Sequence, residues 1–147
     1  LYLHFYVFSF IRHACNHLAV FMDPQGLASE SIAAMTLEMS YSECTYVFPA
    51  DATGTTVRLR IFGRAGNEMP FAGHPVIGSA FALADDGVIA AGTAEIVFGL
   101  GIGPTPVALE WDGGRLRFAW MTQQRPTFGA TLPAGWRAYR STVVNWP

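Results

Sequence analysis

The chain has 147 residues, of which 51% are hydrophobic and 14% are charged, and its formal net charge is −2. This composition fits one folded domain with a sizeable core and excludes a disordered chain. The slightly negative charge gives no basis for binding nucleic acid or a membrane. All nine basic residues are arginine, so Schiff-base chemistry on a lysine is excluded. Two cysteines, Cys15 and Cys44, are too few for a disulfide framework, and we expect a reduced, cytoplasmic protein.

The first part of the chain is predicted to form two strands with a polar loop between them. Residues 3–10 are aromatic and β-branched, which is typical of a strand, and the segment is too short to span a bilayer. A second strand is predicted at residues 18–22, followed by a turn at 23–26. The absence of an initiator methionine suggests a partial chain. The loop before the second strand carries several chemically capable residues, namely His13, Cys15, Asn16 and His17.

A surface helix and two further strands are predicted next. Ser29 is predicted to be the N-cap of an amphipathic helix. Strands are expected at residues 42–48 and 55–62, joined by a polar turn at 51–54, and the second alternates apolar residues with arginines as a half-buried strand does. The apolar positions of the helix are Ile32, Met35, Leu37 and Met39.

The most informative stretch is a second predicted helix, at residues 74–84. Pro75 fits its first turn, where a missing N–H costs nothing, and no charge follows until Asp85. A helix that is apolar on all sides is buried. Its unpaired N–H groups and the positive end of its dipole therefore emerge inside the protein, at Gly73 and His74, where they attract an anion.

The last predicted elements are strands. One lies at residues 94–98, and a hairpin pairs residues 106–110 with 116–120 around a turn at 112–114. Strands, one surface helix, strands, one buried helix and strands again form an α+β order rather than a regular βαβ alternation.

Glu43 is the first candidate for chemistry, although from the residues alone it reads as a solvated carboxylate at a strand entrance. His74 is the second candidate, because a helix N-terminus favours a neutral imidazole that can donate a hydrogen bond or relay a proton. Cys44 reads as a small apolar strand residue. His13, Cys15 and His17 are all metal-ligand types, but no fourth ligand is evident, and we expect no metal.

Four ordered landmarks resemble the PhzF (phenazine biosynthesis-like) family. They are Cys-Asn-His-Leu-Ala-Val-Phe at 15–21, Met-Ser-Tyr-Ser-Glu-Cys-Thr-Tyr-Val at 39–47, Arg-Ile-Phe and Phe-Ala-Gly-His-Pro within 60–75, and Met-Thr-Gln-Gln-Arg-Pro-Thr-Phe-Gly at 121–129. The resemblance implies the diaminopimelate-epimerase fold, a curved mixed β-sheet wrapped around a buried central helix. That fold has two such halves with the active site between them. Residues 1–129 correspond to the first half, and residues 130–147 are an atypical segment.

The resemblance implies an isomerase that moves a proton within a small carboxylate substrate and needs no cofactor. Glu43 would be the acid/base, which requires a carboxyl group partly removed from water. His74 would assist it, and Gly73, His74, Pro75 and Asn16 would bind the substrate. Racemases of this fold use a cysteine at the start of the central helix. That place is taken here by Ala72, Gly73 and His74, so two-thiol racemisation is not expected.

The alternative is a non-catalytic half-domain, either a remnant or a module that associates with a second copy. The missing second half supports this alternative, because the surface that would face that half favours dimerisation.

Overall fold

Eight strands and two helices are present in the computed structural model, which describes residues 2–8, 16–123 and 125. The helices are α1 (Ser29–Met39) and α2 (Gly73–Asp85). The strands are β1 (Tyr2–Val7), β2 (Asn16–Met22), β3 (Glu43–Pro49), β4 (Val57–Gly63), β5 (Glu68–Met69), β6 (Glu95–Leu100), β7 (Gly103–Asp112) and β8 (Arg115–Met121).

All the strands belong to one mixed sheet in the order β1-β2-β3-β4-β6-β7-β8, with β5 added to β4. The β2–β3 and β4–β6 pairs are parallel and the other pairs are antiparallel. Helix α2 packs against β1, β2 and β3 and also against β8. Because β1 and β8 lie at opposite ends of the strand order, the sheet must curl around α2. This arrangement confirms the predicted α+β fold with a curved sheet around a central helix.

The two faces of the sheet carry different cores. The inner, concave face packs against α2 through buried residues such as Leu18, Val20 and Leu83. The outer face packs against α1 through a second cluster, which comprises Ala19, Phe21, Ile32, Cys44, Tyr46 and Phe62. Successive residues of a strand point to opposite faces. Successive residues of β3 therefore face different helices.

Helix α2 lies close to the strands because of a glycine in its middle. A Cβ atom placed on Gly78 would lie 2.5 Å from Leu18 Cδ2 and 2.7 Å from Val7 Cγ2. Distances this short do not occur between real side chains, so only glycine allows β1 and β2 to approach the helix this closely. Ala80 and Ala82 are also fully buried.

Several sequence-based predictions are confirmed in this region and in the hairpin. Helix α2 is one residue longer at each end than predicted. Strands β7 and β8 form the predicted hairpin, and Gly113 and Gly114 have φ values of 55° and 82°. Two successive positive φ values are typical of the type I′ turn that suits the twist of a hairpin. The two helices of the described residues, 11 and 13 residues long, are too short to cross a membrane.

Other predictions are wrong in detail. Asn16 and His17 belong to β2 rather than to a loop, because they pair with Val7 and Tyr6 of β1. Strand β1 ends at Val7, and Phe8 has a positive φ of 65°. Residues 9–15 lie outside the described part of the chain. The two-residue strand β5 was not predicted, because it is defined only by its pairing with β4.

The ends and the phase of α1 also differ from the prediction. Ala28 is the N-cap and makes no side-chain cap, whereas Ser29 is the first helical residue. The Ser29 hydroxyl instead accepts a hydrogen bond of 3.1 Å from Arg60. Leu37 is 51% exposed, and Thr36 takes the buried position beside it. Residues 32 and 36 are one turn apart, so they share the face that meets the sheet, and Leu37 does not.

We predict that Gly78→Ala lowers the free energy of unfolding by about 1–3 kcal/mol, because the added methyl group overpacks a buried contact. The loss should appear although alanine favours a helix by about 1 kcal/mol over glycine. Urea unfolding would measure it. Gly99→Ala is the matched control, since a Cβ there meets its nearest atom at an ordinary 3.5 Å. Equal stability of the two variants would contradict the prediction.

Candidate functional site

The structure brings Glu43 and His74 together at the mouth of the buried helix. Glu43 is the first residue of β3, and His74 is the second residue of α2. Glu43 pairs with Leu18 in the parallel ladder, so its side chain lies on the inner face, towards α2. Glu43 Oε2 and His74 Nε2 are 3.2 Å apart, and the side chains are only 21% and 10% exposed.

The facing atoms of this pair are buried and lack well-placed hydrogen-bond partners among the described residues. Neither Glu43 Oε2 nor His74 Nε2 makes a hydrogen bond of good geometry with any described group, although their separation is within hydrogen-bond distance. Buried polar atoms without partners are rare in folded proteins, and they are often found at catalytic positions. Hydrogen bonds between catalytic groups are commonly long or misaligned before substrate binds. The two facing atoms are therefore close to each other and lack other described hydrogen-bond partners.

The imidazole of His74 is held in its neutral form. Burial lowers the pKa of His74 below its ordinary value of 6.5, and the Glu43 carboxylate and the main chain of His17 oppose that shift. Burial disfavours the charged form because a cation loses its hydration in the protein interior. Burial therefore favours the neutral imidazole, the same form that the helix N-terminus is expected to favour.

The first turn of α2 presents main-chain donors beside this pair. Ala72 is the N-cap in an extended conformation, and no side chain of the described residues caps the helix. No acidic residue occupies the first turn either. The N-terminus of α2 therefore keeps its unpaired N–H groups and its partial positive charge, which together suit an anion. Met121 Cε lies 4.0 Å from the position that a Cβ of Gly73 would take, and the sequence did not point to this neighbour.

The other predicted binding residues are placed differently. Pro75 is buried in the first turn of α2 and has no N–H, so it shapes the turn and donates no hydrogen bond. Asn16 is exposed at the start of β2. It shares the inner face with Leu18, the residue that pairs with Glu43, and so lies on the face that carries the pair.

The side chains of the remaining described candidates point to the other face of the sheet. Cys44 is fully buried on the outer face, and burial raises the pKa of its thiol to about 11. The thiol is therefore protonated at neutral pH. His17 Nδ1 lies 3.3 Å from His4 Nε2 on the outer face, whereas His13 and Cys15 lie outside the described residues. Among residues 2–8, 16–123 and 125, no three or more His, Cys, Asp or Glu side chains are placed to hold a metal ion.

A separate, apolar cavity of about 640 Å³ lies between the two ends of the curled sheet. We call it the apolar groove. It does not include Glu43 or His74. Its lining comes from β1, α2, β8 and Phe8, and comprises residues 5–8, Ile77, Gly78, Phe81 and residues 117–121.

Comparison with known proteins supports the resemblance seen in the sequence. Residues 7–138 match the family model for phenazine biosynthesis-like proteins. An uncharacterized isomerase of Mesorhizobium japonicum is 45% identical over 84 residues, which is 57% of this chain and 28% of that protein. The trans-2,3-dihydro-3-hydroxyanthranilate isomerase of Pseudomonas aeruginosa is 36% identical over 113 residues, which is 77% of this chain and 38% of that protein.

Solved structures agree with the fold. The structure of a predicted epimerase from Pseudomonas aeruginosa is 31% identical, with a TM-score of 0.75 over 91% of this chain and 46% of that one. A hydroxyproline epimerase from Agrobacterium vitis is only 12% identical, with a TM-score of 0.63 over 82% of this chain and 40% of that one, and it shows a shared fold alone. The chain spans less than half of the length of each of these proteins.

We predict that Glu43→Gln lowers the pKa of His74 further. The Glu43 carboxylate stabilises the imidazolium and so opposes the effect of burial. A neutral amide in its place does not, so the pKa of His74 should fall. NMR titration of the His74 ring signals would measure the shift.

Glu68→Gln is the matched control for that titration, because Glu68 pairs with Arg60 instead. This second substitution should leave the pKa of His74 unchanged. A rise in the pKa of His74 in Glu43→Gln, or no change, would show that the two side chains do not interact as the structure places them.

Proposed function

Because the chain belongs to the phenazine biosynthesis-like protein family, we propose that it contributes an active-site wall to an isomerase acting on a small carboxylate. The Glu43–His74 pair is the observation that carries this proposal. It combines a carboxylate and a neutral imidazole 3.2 Å apart at the free N-terminus of a buried helix. Curated relatives named as isomerases support the reaction class.

In the proposed reaction Glu43 takes a proton from one carbon of the substrate and returns it to another. The C–H bond breaks and its electron pair stays on the substrate, so negative charge develops there while Glu43 becomes a carboxylic acid. The proton then forms a new C–H bond, and the Glu43 carboxylate is restored. No electrons are lost or gained and no group leaves, so the step requires no cofactor.

Helix α2 would hold the substrate and stabilise the developing charge. The free N–H groups of its first turn suit the carboxylate of the substrate, and donors fixed before the reaction stabilise charge most effectively. The neutral His74 would move a proton between Glu43 and the substrate or donate a hydrogen bond to a substrate oxygen. Asn16, on the same face of the sheet, would add a polar contact.

The name of one relative supports a carboxylate as the substrate. The Pseudomonas aeruginosa isomerase is named for a dihydro-hydroxyanthranilate, which is a small ring with a carboxylate group. An anion of this kind matches the helix N-terminus described above. Because the chain spans 38% of that relative, the second wall of the site would come from protein beyond the matched region.

We predict that Glu43→Gln slows incorporation of solvent deuterium into the substrate by about 100- to 10,000-fold, the usual contribution of a general acid/base. The assay would incubate the product of the whole reading frame with small cyclic carboxylates in deuterated water and follow carbon-bound deuterium by NMR. Glu68→Gln, a carboxylate-to-amide change elsewhere, is the control and should keep the rate. Equal rates in Glu43→Gln and the unchanged protein would end the catalytic proposal.

A second candidate function, association of two copies as a non-catalytic half-domain, is supported by the apolar groove. Phe8 and Trp120 line it and are 67% and 59% exposed. Exposed apolar side chains grouped in this way commonly mark a protein interface. A two-fold dimer would bury the groove of each copy against the same surface of the other.

We predict that, under this second candidate, Trp120→Glu shifts the sedimenting species towards the 16.0 kDa monomer, because a buried charge opposes association. Sedimentation at several protein concentrations would measure the change. Val88→Glu is the control, since Val88 is exposed and apolar but lies outside the groove. A protein that is monomeric at every concentration would exclude the association.

A further inference from the structure

Two contacts between buried hydroxyl groups connect the opposite faces of β3 to the two helices. On the outer face, Tyr46 Oη and Thr36 Oγ1 of α1 are 2.9 Å apart. On the inner face, Thr45 Oγ1 and Ser79 Oγ of α2 are 3.0 Å apart. All four side chains are fully buried. We call these contacts the outer and the inner hydroxyl bridge.

The inner hydroxyl bridge is a polar contact in an apolar interface. Ser79 lies in the middle of α2, surrounded by buried residues such as Val76 and Leu83. A hydroxyl in such a place is costly unless it is hydrogen-bonded, and the contact with Thr45 satisfies it. Thr45 also reaches the carbonyl oxygen of Ala19 at 3.5 Å. The bridge therefore links α2 to β3 and, through Thr45, to β2.

The inner hydroxyl bridge and the Glu43–His74 pair join the same two elements. Thr45 is two residues after Glu43 on the same face of β3, a distance of about 6.7 Å along a strand. Ser79 is five residues after His74, about 7.5 Å along a helix. These lengths are similar, and in the structure both contacts join α2 to β3.

We propose that Thr45 and Ser79 are positioning residues, whose inner hydroxyl bridge holds His74 against Glu43. The proposal rests on the proposed function of that pair, but it concerns geometry and is testable without a substrate. Apart from the Glu43–His74 pair, the described contacts that remain between α2 and β3 are apolar and have no preferred direction, so we expect α2 to shift relative to β3 when the bridge is lost. A movement of the imidazole by about 3 Å would roughly halve its interaction with the Glu43 carboxylate.

The test measures that interaction as the difference in the pKa of His74 between protein with Glu43 and protein with Glu43→Gln. We expect Ser79→Ala and Thr45→Val to reduce this difference by about twofold or more. Thr45→Ser keeps the hydroxyl and should preserve most of it. Tyr46→Phe is the matched control, because it removes a buried hydroxyl bridge from the same strand on the other face. It should leave the difference unchanged.

Each outcome decides the proposal. An unchanged difference in Ser79→Ala, or an equal reduction in Tyr46→Phe, would overturn it. If Ser79→Ala does not fold, Thr45→Val carries the test. If neither folds while Tyr46→Phe does, the bridge is structural and the positioning role is rejected. Deuterium incorporation does not enter these measurements, so a failure of the proposed reaction would be seen separately.

Discussion

Burial of α2 inside the curled sheet is the constraint on which the rest of the molecule depends. A helix that packs against β1, β2, β3 and β8 can be surrounded only if the sheet bends until its two ends approach the same helix. The small residues of α2 make that approach possible, and Gly78 is the tightest point. The apolar interior contributes the main stabilising free energy. The site is a consequence of the same burial, because it places a helix N-terminus inside the protein.

The two faces of strand β3 contact different parts of the molecule. Its inner residues, Glu43 and Thr45, meet α2, and its outer residues, Cys44 and Tyr46, meet the α1 side. This alternation separates the acid/base candidate from the only described cysteine. It also explains why two adjacent residues of the chain have such different chemistry. Glu43 faces a partly exposed site, while Cys44 sits in a sealed core where burial raises the pKa of its thiol to about 11.

The Glu43–His74 pair and the apolar groove are separate surfaces, and each fits a different contact with protein outside this chain. In the proposed reaction the pair would act on a substrate that is bound by the N-terminus of α2. The groove offers aromatic side chains at the gap between β1 and β8, which fits a surface covered by another polypeptide. The groove does not include the pair, and Met121 lines the groove and lies 4.0 Å from the position that a Cβ of Gly73 would take. Further protein that completes the proposed active site would cover the Glu43–His74 pair, whereas association with a second copy would cover the apolar groove.

The existence and order of the main elements, and the burial of α2, follow from local patterns along the chain. The apolar run after Pro75 and the alternation in β4 have strong local periodicity, and periodicity follows directly from the geometry of helices and strands. The candidate residues Glu43 and His74 came from matching landmarks, and their family was evident from the same residues. Local patterns do not predict strands that are defined only by their partners. Strand β5 forms only by pairing with β4, and Asn16 and His17 belong to a strand because they pair with β1.

The arrangement of the reactive side chains depends on how the helices and strands pack together. No pattern along the chain states that residues 43 and 74 lie 3.2 Å apart, or that Ser79 meets Thr45, because both contacts depend on how α2 crosses β3. Burial lowers the pKa of His74, and burial depends on everything packed around that side chain. Local sequence fixes which surfaces of an element are apolar, whereas distances between side chains on different elements arise only when those surfaces are packed together.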